Sequence, residues 1–169
     1  ETSNTKVNQL YSNIIWGMRG NFVSVPTDCP NRDERLGYTG DTQIFAGTGV
    51  YLANSNQFYA KWLRDLRDYQ LNETSGDAYG RVPVIIPQNN WTGGWPSNWS
   101  SAWGNAAVIV PWQLYQQYGD KQIIQDAFES MKAWCDYQMN PKRTTDYLRH
   151  GDAASGDQDN NYGDWLAIE

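Results

Sequence analysis

The densest run of ionisable side chains is Asp28-Cys-Pro-Asn-Arg-Asp-Glu-Arg-Leu-Gly-Tyr-Thr-Gly-Asp41, which places Asp28, Asp33, Glu34 and Asp41 close to Arg32 and Arg35. Glycosidic cleavage needs such a group: a carboxylic acid kept protonated, so that it can give its proton to the leaving oxygen. Like charges and burial raise a Glu pKa into that role, while an arginine such as Arg32 keeps a nearby Asp ionised and aimed at hydroxyl groups. The same mixed-charge stretch also reads as a solvated network of ion pairs, which is the commoner use of such a loop. Spacing alone leaves both readings open.

Elsewhere the chemistry is sparser. Cys29 and Cys135 make neither a disulfide framework nor a zinc site, since four closely spaced ligands are absent, and they leave the redox compartment open. Asp157, Asp159 and Asn161 imitate the start of a calcium-binding EF-hand loop, but Tyr162 stands where that loop needs Gly and Ile168 where it needs Glu. His150, the single histidine, reads as a loop residue. The triplets beginning at Asn72, Asn90 and Asn98 fit the glycosylation pattern, which matters only in a eukaryotic secretory route.

A net charge of -6 argues against a phosphate backbone or an anionic membrane as partner. No apolar run is long enough to span a bilayer. Nine Trp, eleven Tyr and four Phe beside many Asp, Asn and Gln suit a neutral sugar, whose C–H faces pack on rings while its hydroxyls need partners. An aromatic core explains the same composition.

The elements that must position these residues are helices. Val7, Leu10, Tyr11, Ile14, Ile15 and Met18 recur at helical spacing and predict an amphipathic helix over 4–19, ending at Gly20. Residues 21–40, with prolines, glycines and no periodicity, read as a long functional loop. Asp41 is placed to cap a second helix through Ala53, in which Gly47 and Gly49 point to close helix packing. A third helix over 57–69 carries Phe58, Trp62, Leu63 and Leu66 on one face, with Lys61, Arg64, Asp65 and Asp68 on the other.

The stretch 82–87 is extended and is followed by a Trp/Gly/Asn-rich loop. A fourth helix, 102–118, is apolar on every side over 106–110 and is expected to kink at Pro111. Asp120 caps a fifth, ending near Met139, with Ile123, Ile124, Ala127, Phe128, Met131, Trp134 and Cys135 inward. Alternating all-round apolar and one-faced helices fit a ring of inner and outer helices better than a simple bundle, because the long loops then have a purpose.

Over Thr27 to Gln43 the sequence resembles the signature of family 78 glycoside hydrolases, the α-L-rhamnosidases. Asn13-Ile-Ile-Trp16, Arg19-Gly-Asn-Phe22, Trp103-Gly-Asn-Ala-Ala-Val-Ile-Val-Pro-Trp112 and Tyr162-Gly-Asp-Trp-Leu166 extend the resemblance, in the family's order, over nearly the whole chain. It implies an all-α fold, about half of an (α/α)6 toroid. Residues 1–169 would form the N-terminal half of the catalytic domain, without an internal boundary, and the rest of the barrel and any accessory domains would lie outside them.

The resemblance further implies hydrolysis of terminal α-L-rhamnosyl groups with inversion and without a cofactor. Glu34 would be the general acid, Asp28, Arg32, Asp33 and Asp41 would bind rhamnose, and Tyr38 would line the pocket. Trp103 and Trp165 would wall the sugar's apolar face, with core packing as the competing use of both. The general base would come from the remainder of the catalytic domain, Glu169 standing too close to Gly163-Asp-Trp165 to be that residue. Two positions depart from the family's pattern: Tyr38 stands where Trp is common, and Asn105 where Asp is common.

Two rivals remain at this point. One is another (α/α)6 carbohydrate-active enzyme, for a different deoxy sugar or a uronic acid; a pocket rich in arginine would favour the uronate. The other is a non-catalytic sugar-binding module. A secreted and a cytoplasmic location are both compatible with the sequence, with secretion slightly preferred.

Overall fold

A computed structural model describes residues 1–33, 35–72, 79–88 and 100–139. In chain order the elements are α1 (Thr5–Asn21), β1 (Phe22–Val23), β2 (Val25–Pro26), α2 (Thr39–Leu52), α3 (Asn56–Asn72), α4 (Ser101–Gly104), α5 (Ala106–Tyr118) and α6 (Lys121–Gln138). The frame is therefore helical, and the two strands form a minimal antiparallel hairpin that turns at Ser24 with a φ of 71°.

Helix starts follow local chemistry. Asn4 caps α1 by accepting from the backbone N–H groups of Lys6 and Val7, and Asp120 caps α6 by accepting from that of Gln122. Asp41 does not cap α2. That helix begins earlier, with extended Tyr38 at the cap position, so Asp41 lies inside the first turn, where the helix dipole still favours a carboxylate. The N–H of Thr39 donates instead to the carbonyl of Val84 at 2.9 Å, and the hydroxyl of Thr39 to the carbonyl of Pro83 at 3.1 Å.

Helix α5 is the hub, packed against α2, α3 and α6. Its Ala106, Ala107, Val110 and Leu114 meet Tyr59, Trp62, Leu63 and Leu66 of α3 and Trp134 and Tyr137 of α6 in one core. Gly49 of α2 lets α3 approach: a Cβ there would stand 2.8 Å from the hydroxyl of Tyr59. Gln70, fully buried, donates to the carbonyls of Gly80 at 2.7 Å and Ser130 at 3.1 Å and accepts from the Ser130 hydroxyl, so this polar link between α3 and α6 is satisfied on both sides.

Several sequence expectations need correction. The helix expected over 102–118 is two helices, broken at Asn105, while Pro111 lies within α5. Gly104 stands beside the break, and the indole of Trp134 sits where a Cβ of residue 104 would be, 2.3 Å from its nearest ring carbon. Phe128 and Cys135 of α6 face outward, their places inside taken by Ser130, Ala133 and Tyr137, because the buried stripe runs through 123, 127, 130, 134 and 137. The expected inward stripe of α1 is open, with Met18 buried but Leu10 59% and Tyr11 56% exposed. Ile109 and Trp112 likewise leave one flank of α5 uncovered.

Candidate functional site

The site is built on the loop between β2 and α2 and on what holds its two ends. At its start, the N–H and hydroxyl of Thr27 both donate to the carbonyl of Asn21. In the middle, the N–H of Asp28 donates to the carbonyl of Leu36 at 2.9 Å, which closes 28–36 into a compact loop. At its end, the N–H of Ile86 donates to the carbonyl of Gly37 at 2.8 Å and Tyr38 bridges Ile85, so the buried stretch 82–86 fixes the entry to α2. Gly37 is required for that approach, since a Cβ would lie 2.2 Å from the carbonyl oxygen of Ile86. Trp62 donates its indole N–H to the same carbonyl at 3.1 Å and ties the arrangement to α3.

A cleft of about 1350 Å³ opens beside this loop. Asp28, Arg32, Asp33, Tyr38, Asp41 and Trp103 all line it, six residues drawn from the loop, the first turn of α2 and α4. Of the sequence-derived site residues, Glu34 and Trp165 lie outside the described ones, as do His150 and the aspartates of the EF-hand-like stretch. Among the described residues no group of three or more His, Cys, Asp or Glu side chains converges as a metal site, and no helix is long and apolar enough to cross a membrane.

The aromatic wall has its own support. Trp103 lies on α2 where residue 40 has no side chain: a Cβ on Gly40 would be 2.7 Å from the indole nitrogen. Gln43, one turn along α2, donates to the carbonyl of Ala102 at 2.6 Å and ties α4 to α2. From the other side Trp134 packs on Gly104 and donates its indole N–H to the side-chain oxygen of Asn105 at 3.0 Å. Asn105 thus has a structural partner in α6, and an Asp at this position would accept the same bond.

Phe22, Phe45 and Tyr59 form an aromatic floor that the sequence reading assigned no role. Phe22 stacks on Phe58 at 4.3 Å between ring centroids and meets Phe45 and Tyr59 edge-on. Phe22 closes one of the quoted motifs and Gln43 ends the long signature, so both were marked by position though not by chemistry.

Within the loop, the thiol of Cys29 donates to the Asp28 carboxylate at 3.2 Å, and Arg32 donates to the Cys29 sulfur at 3.1 Å. The hydrogen bond to Asp28 raises the thiol pKa most, with desolvation and the charge of Asp28 adding to it and Arg32 opposing. The thiol is the form that can donate.

Carboxylates, a guanidinium, a phenol and an indole around one cleft, in a mainly helical frame, are the makings of a site for a polyhydroxylated ligand. The chain belongs to the bacterial α-L-rhamnosidase six-hairpin glycosidase domain family, whose model matches residues 1–169. It is 46% identical over 169 residues to an α-L-rhamnosidase of Streptomyces avermitilis, covering 99% of this chain and 14% of that protein. It is 36% identical over 165 residues to one of Formosa agariphila, covering 98% of this chain and 16% of that protein. The crystal structure of a Streptomyces avermitilis α-L-rhamnosidase complexed with L-rhamnose superposes with a TM-score of 0.79 at 44% identity, over 99% of this chain and 14% of that one. The chain therefore spans about one seventh of the length of these relatives, and its fold is part of the six-hairpin architecture.

Proposed function

We propose that this chain forms the acid side of the active site of an α-L-rhamnosidase, as the N-terminal half of its catalytic domain. The observation that carries the reading is the convergence of Asp28, Arg32, Asp33, Tyr38, Asp41 and Trp103 on one cleft, all of them positions at which the sequence resembles the family's signature. The relatives' names and the L-rhamnose complex of one of them support the choice of sugar.

In this reading Glu34 protonates the glycosidic oxygen as the bond to the anomeric carbon breaks. A water enters from the opposite face and gives its proton to a carboxylate supplied by the remainder of the domain, and the sugar leaves with inverted configuration. Such a pair of carboxyl groups stands roughly 6.5–9.5 Å apart to make room for the water. Asp28, Asp33 and Asp41 accept from sugar hydroxyls and Arg32 donates to them, while Trp103 packs on the apolar face and the C6 methyl. Tyr38 adds a phenol to that wall. The steps need no cofactor, and the negative charge turns nucleic acid and anionic membranes away. Arg32 is the single arginine among the described lining residues, which favours a neutral sugar over a uronic acid.

The test is release of p-nitrophenol by the full-length protein containing this chain from the aryl α-L-rhamnoside, beside the α-L-fucoside, α-L-arabinofuranoside and glucuronide. Hydrolysis of the rhamnoside alone, or by a wide margin, is expected. Preference for any of the other three would overturn the reading.

A further inference from the structure

We propose that Cys29 is a positioning residue for this reaction, its thiol tying the carboxylate of Asp28 to the guanidinium of Arg32 so that both reach the sugar as one preset unit. The proposal rests on the rhamnosidase reading and deepens it. Asp28 and Arg32 line the cleft, and Cys29 sits between them, donating to Oδ2 of the one and accepting from Nη2 of the other. No single apolar side chain can do both, since the acid needs a donor and the guanidinium an acceptor.

The backbone supports the same conclusion. Cys29 has a φ of 46°, a left-handed conformation that residues with a Cβ adopt at a cost. It is held there by the closing bond from Asp28 to Leu36 and by the turn from the N–H of Arg32 to the carbonyl of Cys29 at 3.3 Å. A loop that needed only a left-handed residue would be served better by Gly. The far end of the Cys29 side chain joins two groups that line the cleft. Their preset arrangement lowers the ordering cost of binding.

Serine can make both bonds with a shorter reach. Alanine makes neither, and glycine makes neither while relieving the backbone, so Cys29→Gly stays informative even where Cys29→Ala does not fold. The experiment is steady-state hydrolysis of an aryl α-L-rhamnoside by the full-length protein, with thermal unfolding of each variant in parallel. Cys29→Ala and Cys29→Gly should raise KM about tenfold, the size of a lost hydrogen bond to a charged group, with kcat within about threefold. Cys29→Ser should recover KM to within about threefold of wild type. A wild-type KM in the alanine or glycine variant overturns the proposal and leaves the rhamnosidase reading intact. A serine variant no better than alanine also overturns it, since sulfur's bulk would then be what matters. A folded wild-type protein inactive on the rhamnoside overturns the functional reading and this proposal together.

Discussion

The indole of Trp103 rests on the bare backbone of Gly40, the residue before Asp41, so closely that one added carbon would stand 2.7 Å from its nitrogen. The aromatic wall of the cleft therefore packs directly on the residue that precedes the carboxylate at the head of α2.

Gly40→Ala tests that contact. An alanine in the first turn of a helix ordinarily stabilises it, so folding should survive, but α4 must move to accept the methyl group. We expect kcat/KM on an aryl α-L-rhamnoside to fall at least about tenfold, equivalent to about 1.4 kcal/mol. Unchanged kcat/KM would show that Trp103 is not held by this approach.

Asn105 gives a second prediction, on stability. Its side-chain oxygen accepts from the 2% exposed Trp134 at the break between α4 and α5. Removing it in Asn105→Ala leaves a buried N–H unpaired and should cost about 1–3 kcal/mol in denaturant unfolding of the full-length protein. Asn105→Asp keeps an acceptor and should lose less than half as much. Equal losses in the two variants would contradict the role of the bond.

Those two residues also mark what the sequence could and could not tell. The helices were legible because their apolar spacing is regular and because Asn4 and Asp120 are strong caps. The break at Asn105 was not, because the neighbour that Gly104 meets there is Trp134, which lies far along the chain. The same holds for Phe128 and Cys135, placed inward by spacing and outward by the packing of α6 on α3 and α5. Asp28, Arg32, Asp33, Tyr38 and Asp41, which line the cleft, were legible as one contiguous motif. Their supports, Gly40 under Trp103 and Cys29 between Asp28 and Arg32, were not, since a contact of backbone or sulfur with a neighbour leaves no composition signal.

Tyr59 supplies a pH prediction. It is fully buried, and its hydroxyl has no hydrogen-bond partner among the described residues. Burial first, and then the neighbouring Tyr118, raises its pKa above the ordinary value of about 10. Because the folded state holds this proton more tightly than the unfolded chain, the contribution is present in full below pH about 10 and is lost as pH rises beyond it. In the full-length protein, stability measured by denaturant should fall less steeply above pH about 10 in Tyr59→Phe than in wild type. At neutral pH that variant should lose no more than about 1 kcal/mol, since no bond is given up. A large loss at pH 7 would reveal a partner for the hydroxyl.

Whether Glu34 is the acid of a rhamnosidase is read from turnover of a rhamnosyl glycoside with a poor leaving group by the full-length Glu34→Gln protein. General acid catalysis is worth about 100- to 10,000-fold. We expect a kcat lowered by at least about 100-fold in a protein whose thermal unfolding matches wild type. A folded Glu34→Gln protein with near-normal kcat would contradict it.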